Sequence, residues 1–247
     1  MVIRTQYLER LRPFYDSELV KVITGIRRCG KSTILRQVIA EIKENGIEDS
    51  HIIYINFEDY KYHKLTDADA FYEYVEQKFV DEGKYYLFFD EIQNVNKFEL
   101  VVNSFRATHN VSIFITGSNS KLLSGELATH LSGRTVSLRV LPFNFMEFCQ
   151  YKDISEPDYE RLLAEYMTYG GLPLVCGVDN KETKEVILSN IYDAVVLKDI
   201  VMRNKINSPL VLEKVLDYIV GNSSLTVSGN AIAGTLSSNG HKVSAPV

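Results

Sequence analysis

The chain has 247 residues, 45% of them hydrophobic, and a formal net charge of −5. That length suits one α/β domain of roughly 150 residues with a smaller second one. The acidic balance excludes a surface built throughout to hold nucleic acid and leaves room only for a local basic patch. Three cysteines, Cys29, Cys149 and Cys176, form no Cys-x-x-Cys pair, so neither a disulfide framework nor a zinc ribbon is expected. Arg4, Glu9 and Arg10 interrupt the N-terminal segment where a signal peptide needs apolar residues. No run approaches the roughly 18 apolar residues of a membrane span. The expectation is a cytoplasmic protein with no membrane partner.

Val20 to Thr24 reads as a buried strand, and the run Gly25-Ile26-Arg27-Arg28-Cys29-Gly30-Lys31-Ser32 follows it directly. The run fits the phosphate-binding pattern Gly-x4-Gly-Lys-Ser. Ile34, Leu35, Val38, Ile39 and Ile42 then fall at helical spacing. A glycine-rich turn between strand and helix points consecutive N–H groups at a polyphosphate, and the helix adds the positive end of its dipole. The expected nucleotide-binding set is Gly25, Arg28, Cys29, Gly30, Lys31, Ser32 and Thr33, with Lys31 on the β- and γ-phosphates of ATP and Ser32 ligating Mg2+. Lys31 is expected to stand on an exposed loop, so that its loss would spare the fold. Arg27 and Arg28 stay open between phosphate contact and plain surface. Cys29 stays open between an oxidisable thiol and a small filler.

Further strands are read at His51 to Phe57, Tyr85 to Phe89, Val111 to Thr116 and Thr135 to Val140. Their near-continuous Ile, Val, Phe and Tyr content suits a parallel sheet covered on both faces. Phe71, Tyr74, Val75 and Phe79 form one helical stripe between them, and Phe98, Val101, Val102 and Phe105 another. Glu58 and Asp59 follow the second strand, where a water-orienting role competes with that of solvated loop carboxylates.

Tyr86-Leu87-Phe88-Phe89 leads into Asp90-Glu91, about sixty residues after the glycine-rich loop. Asp90 is expected to hold the Mg2+ shell and Glu91 to polarise the water that attacks the γ-phosphate. Val111 to Thr116 ends in Gly117-Ser118-Asn119-Ser120. In an ATPase with an extra strand between the loop strand and the acidic strand, Asn119, or failing it Ser118, would bond the γ-phosphate or the attacking water. A helix N-cap is the competing role. Gly133-Arg134 follows a lid-like segment, Lys121 to Leu131. Arg134 is read as an arginine finger acting in cis or across the interface of a homo-oligomer, against a structural ion pair. The five histidines show no metal-ligand spacing.

After Pro142 the pattern turns helical. Phe143, Phe145, Met146 and Phe148 open it, followed by Tyr159, Leu162, Leu163, Tyr166 and Met167, then Ile187, Ile191, Val195 and Val196, then Val211, Leu212, Val215, Leu216 and Ile219. Gly170-Gly171-Leu172-Pro173 breaks the run. Three regions are therefore expected: a nucleotide-binding domain at 1–141, a helical domain at 142–221 and a small polar segment at 222–247 with room for one short helix.

The loop Lys21 to Thr33 resembles that of prokaryotic AAA-type ATPases joined to a C-terminal domain of unknown function. So do Ile55 to Asp59, Phe89 to Gln93, Ile115 to Ser120, Leu131 to Arg134, Leu141 to Phe148 and Tyr169 to Pro173, so the resemblance covers nearly the whole chain. It implies an α/β P-loop NTPase of the AAA type with a central parallel sheet, a smaller helical region and an incomplete winged-helix-like segment. It also implies ATP binding and hydrolysis, with Lys31, Ser32, Asp90 and Glu91 in the roles given above. Members of that family continue into a further domain, whereas this sequence ends at Val247. Ser228 to Asn239 reads as the first helix of a helix-turn-helix and Gly240 to Ser244 as its turn, with the groove-reading helix missing. A truncated C-terminal domain is the expectation.

Three functions remain open at this level. The first is an ATPase whose nucleotide state drives a switch on a macromolecular partner, protein or DNA. The second is a nucleotide-dependent binding module with little turnover. A small-molecule phosphotransferase is the third, disfavoured because Glu91 beside Asp90 suits activation of water.

Overall fold

The computed structural model describes residues 2–117, 131–201, 206 and 208–238. They belong to two compact units, 1–187 and 188–247. The first is built on five strands, β1 (Val20–Gly25), β2 (Ile52–Asn56), β3 (Tyr85–Asp90), β4 (Val111–Gly117) and β5 (Thr135–Val140). All pair in parallel, in the order β2-β3-β4-β1-β5. The extra strand expected between the loop strand and the acidic strand is β4.

Alternation along each strand sorts the core into two layers. On one face Val20, Val22, Leu87, Phe89, Ile113 and Ile115 pack with Phe71 and Val75 of α3 (Ala68–Glu76) and Val102 and Phe105 of α4 (Phe98–Thr108). On the other, Ile23, Phe88, Phe114 and Leu138 meet Leu8 and Leu11 of α1 (Thr5–Leu11) and Ile34, Leu35 and Val38 of α2 (Lys31–Glu44). Phe88 and Phe114 stack at 4.7 Å between ring centroids. Each such fully buried side chain contributes roughly 1.5–3 kcal/mol. Strands covered on both faces explain why β1, β3 and β4 are buried throughout while the edge strand β2 is buried at alternate positions. Because the strands are parallel, Gly25, Asp90, Gly117 and Val140 all end at one edge of the sheet.

The break expected at 141/142 falls inside the first unit. There α5 (Phe145–Lys152) opens on a capping box in which Asn144 accepts from the N–H of Glu147 and Glu147 accepts from that of Asn144. It is followed by α6 (Tyr159–Tyr169), α7 (Pro173–Cys176) and α8 (Lys181–Asp193). Val2, Phe143, Phe148, Leu162 and Cys176 share one apolar cluster, so the N-terminal segment and α5 to α7 bury their apolar surface together. The Phe143 N–H donates to the Gly171 carbonyl at 2.7 Å, and a Cβ on Gly171 would stand 2.0 Å from the Phe143 carbonyl oxygen. Only glycine permits that approach.

In the second unit a π-helical run, Ala194–Val201, precedes α9 (Pro209–Gly221) and α10 (Gly229–Ser238). Pro209 occupies the first turn of α9, where its missing N–H costs no hydrogen bond. Ser228 accepts from the Ala231 N–H at the start of α10, the short helix expected from residue 228. The turn expected at 240–244 lies outside the described residues. Among the described residues no helix is long and apolar enough to cross a membrane.

Candidate functional site

The loop leaves β1 at Gly25, paired with Val140. A Cβ on Gly25 would stand 2.5 Å from the Val140 carbonyl oxygen and 2.7 Å from Cys29 Sγ, so glycine is required where the chain turns out of the sheet. Arg28 (φ 64°) and Gly30 (φ 101°) take left-handed conformations, which curl the backbone into the nest-like geometry of an anion cradle. Cys29 is fully buried, and burial raises its thiol pKa. That is the opposite of an activated thiolate, and it favours the small-filler role. Ile26, Arg27 and Arg28 are exposed on the outside of the loop.

Lys31 opens α2, with Ser32 and Thr33 half-buried beside it. It does not stand exposed as expected. Its side chain is only 4% accessible, because Nζ turns inward to the carbonyl oxygens of Gly25 (3.3 Å) and Ile26 (3.4 Å) and to Glu91 Oε1 (3.3 Å). Loop, α2 and the acidic strand thus meet at one ammonium group.

Asp90 ends β3 and has no exposed surface. Its Oδ1 accepts from the Thr116 hydroxyl, and its Oδ2 accepts from the Tyr54 hydroxyl at 3.0 Å. Burial first, and then the Asp90 carboxylate, push the Tyr54 phenol up to about 12. Glu91 follows in a left-handed conformation (φ 53°, ψ 45°), which costs a non-glycine residue on the order of 1–3 kcal/mol. Two contacts hold it there. Its N–H donates to Thr116 Oγ1 at 2.9 Å, and its Oε2 accepts from Gln93 Nε2 at 2.5 Å. Thr116 at the end of β4 therefore fixes both acidic residues. The polar group expected after this strand is Asn119, with Ser118 second, and both lie outside the described residues.

Arg134 is not brought to this cluster. It precedes β5, its carbonyl accepts from the Val20 N–H, and its guanidinium reaches Asn103 Oδ1 of α4 at 3.2 Å. Val20 and Gly25 are the two ends of β1, about 17 Å apart at 3.3 Å per residue. That span exceeds an arginine side chain, so the cis finger is corrected. Glu58 and Asp59 are exposed, and Asp59 accepts from the Lys61 N–H as the cap of a short 3-10 helix. A capping role is seen at Asp59, while Glu58 is an exposed loop carboxylate.

The oxygen donors of Ser32 and Asp90 suit a hard divalent cation such as Mg2+. Each Asp90 oxygen already accepts one hydrogen bond and retains a second lone pair for a metal-bound water.

A parallel sheet with β4 between the loop strand and the acidic strand, the glycine-rich loop after β1 and Asp90-Glu91 closing β3 define a P-loop NTPase fold. Residues 17–149 match the family model described as an AAA domain, and the chain belongs to that family of AAA-type P-loop ATPases. An uncharacterized protein of Haemophilus influenzae is 39% identical over 241 residues, which cover 96% of this chain and 60% of that protein. An uncharacterized protein of Methanocaldococcus jannaschii is 32% identical over 234 residues, covering 91% of this chain and 52% of that one. The chain thus spans only part of the length of these relatives. A Walker-type ATPase of Pyrococcus abyssi shares the fold, with a TM-score of 0.66 at 14% identity over 99% of this chain and 86% of that one.

Proposed function

We propose that this protein binds ATP with Mg2+ in the loop Gly25 to Ser32, hydrolyses it, and uses the nucleotide state to switch a macromolecular partner, protein or DNA. Lys31 carries the reading. A nearly buried ammonium whose partners are two loop carbonyls and Glu91 can exchange those oxygens for phosphate oxygens. Drawing Lys31 onto phosphate releases Glu91, which Gln93 still holds. A carboxylate freed of its cation is a better hydrogen-bond acceptor, so Glu91 orients and polarises water for in-line attack on the γ-phosphorus.

Asp90 is kept in one rotamer by Thr116 and Tyr54 and, with Ser32, would hold the Mg2+. When bound, that cation would neutralise charge on the β- and γ-phosphate oxygens. A cavity of about 570 Å3, whose lining mixes Tyr7, Leu141 and Phe143 with the polar side chains of Gln6, Arg10 and Arg139, would seat the base. Arg134 supplies its charge to the site of a neighbouring copy, and Asn119 contacts the γ-phosphate. The proposed setting is the cytoplasm.

Steady-state release of phosphate from ATP tests the reading. Turnover that is abolished in Glu91→Gln with ATP binding retained supports it. Tight ATP binding by the wild type with no turnover under any condition moves the assignment to a nucleotide-dependent binding module. Phosphate transfer to a screened metabolite moves it to a phosphotransferase.

A further inference from the structure

Arg4 is an arginine only 1% exposed, placed before α1 and remote in sequence from every motif. Its Nε and Nη2 donate to the two carboxylate oxygens of Glu147, each at 2.8 Å. Nη1 donates to the carbonyl of Leu141 at 2.9 Å and to that of Cys29, inside the phosphate loop, at 3.2 Å. The rings of Tyr7 and Phe143 cover the guanidinium, 4.5 and 5.2 Å from their centroids. Gln37 of α2 ties down the backbone leading into the residue, accepting from the Arg4 N–H at 3.1 Å and donating to the Val2 carbonyl at 2.7 Å.

Burying a guanidinium costs several kcal/mol of desolvation, which the bidentate carboxylate offsets, and an apolar side chain of similar size serves packing as well or better. What an apolar residue lacks is a donor for the Cys29 carbonyl. Across a trans peptide the C=O and the following N–H point in opposite directions. Holding the Cys29 carbonyl on the outside of the loop therefore aims the Gly30 N–H toward its interior, where a phosphate is bound by such groups. Arg4 Nη1 lies 4.0 Å from the place a Gly30 Cβ would take, directly behind this peptide.

We propose that Arg4 is a positioning residue for the phosphate loop, with Glu147 holding it in place, so that the loop is preorganised for a polyphosphate before one arrives. The inference rests on ATP binding by this loop. Arg4→Lys keeps a cation beside Glu147 but cannot reach Glu147, Leu141 and Cys29 together. Glu147→Gln keeps the guanidinium and loosens its hold.

The test measures ATP affinity by titration with a fluorescent ATP analogue, on protein shown to be folded by circular dichroism. Amide hydrogen exchange of residues 25–33 is measured on the same samples without nucleotide. In each folded variant, affinity about tenfold weaker and faster exchange confined to the loop are expected, since lost preorganisation is paid at binding. A purely structural role lowers the melting temperature and moves neither readout. Unchanged affinity in either folded variant, beside a wild type that binds, overturns the role of Arg4 alone. A wild type that binds no ATP overturns the ATPase reading and this inference with it.

Discussion

Lys31 Nζ lies 3.3 Å from Glu91 Oε1, so the lysine proposed to hold phosphate and the glutamate proposed to activate water are each other's partner. Two functions are coupled by that contact. Phosphate must compete with a carboxylate for one ammonium, and the carboxylate gains its freedom only when phosphate wins.

Glu91→Gln removes both the competitor and a negative charge near the triphosphate. ATP should therefore bind severalfold more tightly, while turnover falls roughly 10²–10⁴-fold with the loss of the general base. Isothermal titration and phosphate release on the same preparation check the two together. Weaker ATP binding would mean that Glu91 supports the nucleotide rather than competing with it.

Thr116 serves two acidic neighbours at once, donating to Asp90 and accepting from the Glu91 N–H. Thr116→Val keeps the shape and deletes the hydroxyl, leaving a buried carboxylate oxygen and a strained residue's N–H without that partner. A loss of about 2 kcal/mol in unfolding free energy is expected, together with a drop in turnover. Thr116→Ser should restore both. Urea titration followed by assay decides the matter, and a valine variant as active as the wild type would remove Thr116 from the site.

Lys21 lies wholly inside the sheet, its Nζ donating to Ser112 Oγ at 2.7 Å and the Ser17 carbonyl at 3.0 Å above the ring of Phe114. Burial first, and then the charge of Lys84, bring its pKa down to about 7, against a smaller opposing pull from Asp16. Between that value and the ordinary 10.5 the unfolded chain binds more protons than the folded one. Stability therefore rises with pH from about 7 toward 10, and below 7, where both states are protonated, the penalty is constant. The steepest part should approach about 1 kcal/mol per pH unit. Urea unfolding at pH 7, 8 and 9 should show the rise in the wild type and a flatter profile in Lys21→Met. Parallel profiles would mean the slope belongs to another group.

The five strands and their stripes are legible in the sequence because each is a local run: Val20 to Thr24 or Tyr85 to Phe89 announces itself by composition alone, and each of these two strands runs one residue further. The same holds for Lys31, Asp90 and Glu91, whose spacing and flanks give their neighbourhood. Thr116, Tyr54 and Arg4 carry no such mark. Thr116 is one more β-branched residue in an apolar strand, and only the pairing of β3 with β4 sets its hydroxyl against Asp90. Tyr54 acts across the neighbouring strand pair, where its OH reaches the same carboxylate. Arg4 reads only as a charge that interrupts the N-terminal segment, and its burial comes from Phe143 and Glu147, far away in sequence. The boundary expected at 141/142 lies inside one compact unit for a related reason. Composition changes there, but Val2, Phe143 and Phe148 pack in one cluster, and a packing unit is defined by contacts rather than by composition.

Arg134 sits at the opposite end of β1 from the loop, exposed, with Asn103 as its hydrogen-bond partner. A role in turnover therefore requires a second copy of the chain. Arg134→Ala should then bind ATP as the wild type does, since the described residues of one copy place it away from the loop, while turnover falls roughly 10³-fold or more. Mixing supplies the decisive control. Arg134→Ala keeps an intact Glu91, and Glu91→Gln keeps an intact Arg134, so a mixed assembly contains junctions where both groups face one nucleotide. Equal mixtures of the two inactive variants should recover a measurable fraction of wild-type turnover, and that fraction should rise with protein concentration as copies associate. If each variant is inactive and the mixture stays inactive at every concentration, Arg134 acts on the fold through Asn103 and the finger must be sought elsewhere.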